Sequence, residues 1–251
     1  MRLTDADIEL LEQKGISKNK VLDQIETFQN GIPFVKLKSA AVVGKGILKF
    51  SLDEEKELIR KFEGHRQSKS LLKFVPASGA ASRMFKALFN FLNSFDSSEE
   101  SLDAYIERTA DSDIKKFADG LEDFPFYQFI KNRIAEKPSS KGEEVKNFVT
   151  EMMSENALNY GFYPKGLLPF HNYGGSTATP FEEHLKESVA YASAGGSANL
   201  HFTISEQHDE MFKNEFDTIN DRVSKSTNTS FDVDYSNQKP ATDTIAVDLE
   251  N

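Results

Sequence analysis

Two cationic residues set among small or apolar neighbours carry the chemistry that this sequence offers. Arg83 closes the stretch "FVPASGAASRMFK", and Lys165 stands in "YPKGLLPF". Ala77, Ser78, Gly79, Ala80, Ala81 and Ser82 leave the main-chain N–H groups before Arg83 uncovered, which is how a chain builds an anion site from bare amides at a helix N-terminus. An arginine fork beside such a loop suits a phosphate, and a lysine supplies a second point charge. The chemistry implied is phosphate binding, with Arg83 at the start of the following helix. The bland alternative is a packing turn with a solvated arginine.

The elements that must position these residues can be read from the hydrophobic pattern. Leu71, Leu72, Phe74 and Val75 predict a short buried strand, and "MFKALFNFLNSF" predicts a helix from its three- and four-residue apolar spacing. Upstream, residues 4–30 form two amphipathic helical stretches ending at Gly31 and Pro33. "AAVVGKGILKF" holds a turn at Gly44-Lys45-Gly46, and Ser51 with Glu54 forms a capping box for a further helix. Residues 86–159 are mostly helical. Beyond Gly161 come the Gly- and Pro-rich "YPKGLLPFHNYGGSTATP", a helix with Glu182, Glu183 and His184 in its first turn, the strand "NLHFTIS", a helix entered at His208, and strand candidates "SFDVDYSNQ" and "TDTIAVDL". Strands and helices on either side of a helical block predict an α/β fold with three parts. These are an N-terminal mainly helical segment 1–69, an α/β core from 70–85 plus 160–251, and a helical insertion 86–159.

Composition narrows the function classes. The 251 residues have a formal net charge of -10 and no cysteine, so disulfides, thiol catalysis and cysteine-based metal sites are excluded. Lysine and arginine form no stripe, which argues against a nucleic-acid partner. The N-terminal "MRLTDADIELLEQ" lacks a signal-peptide core and no apolar run is long enough to span a bilayer, so a cytoplasmic protein without a membrane partner is expected. His201 and His208 lie seven residues apart, which is no zinc spacing.

"VPASGAASRM" resembles the signature loop of the nucleotidyltransferases that make nucleotide-sugars, Pro-Ala-x-Gly-x-Gly-Thr-Arg-Met. Pro76, Ala77, Gly79, Arg83 and Met84 match it, Ser82 replaces Thr, and Ala81 replaces the second glycine. "YPKGLLPF" is similar to that family's Pro-Lys segment, although here Lys165 follows Arg83 by 82 residues. Over most of its length the chain also resembles the opening half of a bacterial family catalogued as domain of unknown function 4301, whose own likeness is to nucleotidyltransferases and pyrophosphorylases.

The resemblance implies a glycosyltransferase A-like three-layer fold that binds a nucleoside triphosphate and a sugar phosphate and transfers the nucleotidyl group with release of pyrophosphate. Residues 77–82 would hold the nucleotide, and Arg83 and Lys165 would compensate its phosphates. His171 and Gln238 are candidate substrate contacts. Mg²⁺ is the implied cofactor, with Asp248 after "TIAV" as the candidate ligand. A non-catalytic nucleotide- or sugar-phosphate-binding module is the alternative function, and a helical interaction protein is the third. The resemblance also places further substrate and metal contacts beyond Asn251. An uncovered apolar face is accordingly expected near residues 231–249.

Overall fold

The computed structural model describes residues 3–135, 137–239 and Thr244. The chain divides into two compact units, residues 1–69 with 238–251 and residues 70–237.

The first unit holds α1 (Asp5–Gln13), α2 (Lys18–Asn30), the two-residue strands β1 (Val42–Val43) and β2 (Gly46–Ile47), and α3 (Leu52–His65). Side chains of Thr4, Ser17 and Ser51 cap the three helices, and Ser51 forms the full capping box with Glu54. The chain turns at Gly44 and Gly46, whose positive φ values of 81° and 96° only glycine adopts cheaply.

The second unit is α/β. Its strands β3 (Leu72–Pro76), β7 (Ser197–Ile204) and β8 (Ser230–Asn237) are parallel, with β7 bonded to both others. The short β6 (Ser193–Ala194) pairs antiparallel with the start of β7, and β4 (His171–Asn172) pairs antiparallel with β5 (Thr177–Ala178) in a separate ribbon. One face of the main sheet packs on α9 (Pro180–Tyr191) and α10 (Asp209–Thr227). Val75, Leu200, Phe202 and Ile204 meet Phe181, Leu185, Phe212 and Val223 there. A second, mainly helical core gathers α4 (Lys86–Ser94), α5 (Leu102–Thr109), α6 (Ser112–Asp119), α7 (Tyr127–Lys131) and α8 (Lys141–Met153) around Phe91, Tyr105, Ile114, Phe148 and Met152.

Two expectations about the sheet are corrected. β3 is not buried on both faces: side chains alternate along a strand, so Val75 and Lys73 point into the core while Leu72 and Phe74 are each 60% exposed. The helices described against this sheet within residues 70–237, α9 and α10, lie on its Val75 face. The uncovered apolar residues are also not on β8. Its Phe231, Val233 and Tyr235 are half-buried against the core, and the outward positions carry Asp232, Asp234 and Ser236. "TDTIAVDL" and Asp248 lie outside the described residues apart from Thr244.

Candidate functional site

The loop after β3 and the "YPKGLL" segment are joined directly. The Ala81 N–H donates to the Tyr163 carbonyl at 3.1 Å, and the Lys165 N–H donates to the Gly79 carbonyl at 3.1 Å. Together they form an antiparallel bridge between Ala80 and Pro164. Lys165 therefore stands opposite Gly79 despite its distance in sequence. The end of β7 holds the loop from its other side. Thr203 accepts the Ala77 N–H at 2.7 Å, and the Ser205 hydroxyl donates to the Ser78 carbonyl at 2.8 Å. Just beyond, the buried His208 ring lies 3.3 Å from the Phe162 carbonyl. Both motif segments are thus fixed at the carboxyl ends of the adjacent parallel strands β3 and β7, where open α/β sheets bind ligands.

With these bonds made, the main-chain N–H groups of Ser78, Gly79, Ala80, Ser82 and Arg83 have no protein acceptor among the described residues. Beside the loop lies a cavity of about 350 Å³, within the size range of small-molecule sites. Ala77, Gly79, Lys165, Gly166, Phe170 and His184 are among its walls, with Phe181, Phe202 and Phe212 at its base. Gly79 has no left-handed φ, and a Cβ built on it would meet nothing within 4 Å. Its bare backbone is therefore open to whatever enters.

His184 is the polar group that sequence reasoning placed only as a first-turn residue. Its Nδ1 lies 3.3 Å from the Glu187 carboxylate. Lys73 donates to the same carboxylate at 2.5 Å and to the His184 carbonyl at 3.0 Å. Lys73 is only 8% exposed, and Tyr191 packs against its ammonium group. Burial first, then the Lys73 charge, pushes the His184 pKa below its usual value, against the pull of Glu187. The Lys73 hydrogen bond holds the Glu187 carboxyl below the usual range. The signal was present in the i, i+3 spacing of His184 and Glu187, but the buried lysine that joins them comes from a strand 111 residues earlier.

The remaining candidates are dispersed. Arg83 is exposed and does not line the cavity, and it does not begin the helix. Met84 N–H closes a turn onto the Ala81 carbonyl, Phe85 turns into the helical core, and α4 starts only at Lys86. Ala81 is fully buried in that core, so its methyl group faces protein. Ser82 is exposed and Ser78 half-buried. His171 is exposed on β4, outside the cavity lining, though its charge acts on Glu183 and His184. Gln238 is exposed and follows β8.

Asp248, the candidate ligand for the implied Mg²⁺, lies outside the described residues. Among the described residues no group of three or more His, Asp or Glu side chains could hold a metal ion. Nor is any described helix long and apolar enough to cross a membrane.

No curated protein and no solved structure matches the chain. A family model does match, over residues 4–251. The chain belongs to the family described as domain of unknown function (DUF4301).

Proposed function

We propose that this chain binds a phosphorylated ligand of the nucleotide or sugar-phosphate type in the cavity between the Ala77–Ser82 loop and Lys165. The observation that carries this reading is the backbone pairing that sets Lys165 opposite Gly79, which lines the cavity with it and whose N–H has no protein acceptor among the described residues. A preorganised amide and a cation side by side on a largely apolar lining favour an anion, because their positive charges converge on one place. The phosphate would take the amide end and Lys165, and the apolar walls would take the rest of the ligand.

Nucleotidyl transfer is the second reading. It is favoured by the likeness of the two motifs to those of nucleotide-sugar nucleotidyltransferases, including the arginine after the loop. Arg83 stands outside the cavity, in reach only of a ligand long enough to extend past the loop.

Calorimetry with inorganic phosphate, a nucleoside monophosphate and a nucleoside triphosphate tests both. Lys165→Ala should weaken all of them by about 1.5–3 kcal/mol, the scale of a charge-assisted hydrogen bond. Arg83→Ala should weaken the triphosphate alone. Equal binding by the parent and Lys165→Ala would remove the site. Pyrophosphate exchange by the parent chain would establish transfer.

A further inference from the structure

We infer that His184 is the specificity-determining residue of the loop cavity, accepting a hydrogen bond from a ligand hydroxyl at Nε2, so that the occupant is a phosphorylated polyol such as a hexose phosphate. The inference rests on the phosphate site proposed above and names what lies at its other end.

The tautomer follows from the partners. A carboxylate only accepts hydrogen bonds, so the Glu187 oxygen 3.3 Å from Nδ1 requires the proton on Nδ1. Nε2 then carries a lone pair, and it has no hydrogen-bond partner among the described residues. Lys73 fixes this arrangement from below. Its ammonium group holds the Glu187 carboxylate and the His184 carbonyl together, so neither the acid nor the helical turn can rotate away freely. An oriented ring with its second nitrogen uncommitted is the arrangement by which a protein presents an acceptor to a ligand.

The charged and titratable groups around the ring agree with a neutral imidazole. Burial opposes a positive charge on it most strongly, Lys73 on β3 and His171 on β4 act the same way, and together they outweigh Glu187 on its own helix, which favours one. A neutral His184 and a cationic Lys165 on the walls of one cavity give it an acceptor and an anion-binding group. A ligand matching both carries a phosphate and a hydroxyl. A bare phosphate fills only the anion end, and a phosphate ester of an alkyl group leaves Nε2 unpaired.

The test compares a hexose phosphate with methyl phosphate, which has no hydroxyl. The parent chain should bind the hexose phosphate at least tenfold more tightly, and in His184→Phe the ratio of the two affinities should fall to about one. In the parent, ¹⁵N resonances of the His184 ring should show an unprotonated Nε2 that shifts with hexose phosphate and not with methyl phosphate. This measurement does not depend on the variant folding. Equal affinities in the parent, a preference that survives His184→Phe, or a protonated Nε2 would each overturn the assignment and leave the phosphate site standing. Failure of the parent to bind either compound would overturn the phosphate site itself.

Discussion

A single methyl group at Gly79 separates a ligand site from a packing turn. In the free protein, the Cβ of Gly79→Ala meets no atom within 4 Å and the backbone needs no left-handed φ. The substitution should therefore leave stability unchanged, or raise it by about 0.4–1 kcal/mol through the less flexible unfolded chain. A ligand seated against the loop amides would meet that methyl group directly. Overpacking a close contact costs about 1–3 kcal/mol, so a phosphorylated ligand should bind at least several-fold more weakly. The control is Gly161→Ala, where the new Cβ would sit 2.4 Å from Phe89 Cζ and 2.9 Å from Met153 Cε. That variant should lose about 1–3 kcal/mol of stability in the helical core. Urea unfolding and calorimetry with the same phosphate compounds read both quantities. If Gly79→Ala binds as tightly as the parent, no ligand approaches this backbone and the proposed site is wrong. If it unfolds more easily, the account of the loop as open is wrong.

Two other outcomes follow from buried charge. Burial pushes the Glu182 carboxyl up, but hydrogen bonds from Arg222 at 2.7 and 2.8 Å and from Lys186 outweigh it and hold the group below its usual range. Arg222→Met should cost about 1–2 kcal/mol in urea unfolding, less than a fully buried pair because the Arg222 side chain is 60% exposed and Lys186 remains. Burial also lowers the pKa of His208, opposed by the Phe162 carbonyl, and Nδ1 has no partner among the described residues. The unfolded state then binds the proton more readily. Stability contributed by neutral His208 is present above the ordinary value near 6.5 and is lost as pH falls below it. The thermal midpoint should drop from pH 7 to 5, and His208→Gln should flatten that slope in part, since His184 is shifted the same way.

Local chemistry made the strand, the small-residue loop and the helix around residues 72–94 legible in the sequence. Alternating apolar residues, bare amides and three-four spacing each act over a few neighbours. What lay beyond reach was partnership. Nothing near Lys73 says that its ammonium will be buried between Glu187 and a helix carbonyl, because those groups arrive through a crossover of more than a hundred residues. The same holds for Leu72 and Phe74, whose exposure depends on which face of the sheet the helices cover. The proximity of Lys165 to the loop was suggested by resemblance to a known motif order, and no periodicity could have supplied it. Arg83 shows the reverse error. Its neighbours suggest a helix start, but burying Phe85 delays the helix by three residues.

The bridge between Ala80 and Pro164 also makes the helical block a closed loop whose neck is the candidate site. Bringing the ends of so long an excursion together carries an entropic penalty that grows slowly with its length. The packed helices α4–α8 offset it by shortening the free chain. No residue of those helices lines the cavity, but they carry the chain between its two motif segments and pack around an aromatic core. A protease cut in the turn at residues 96–101 should therefore loosen the loop at residues 77–82 at a distance. Conversely, an occupant that bridges Gly79 and Lys165 would slow that cleavage, so resistance to a protease reports occupancy without any assay of chemistry.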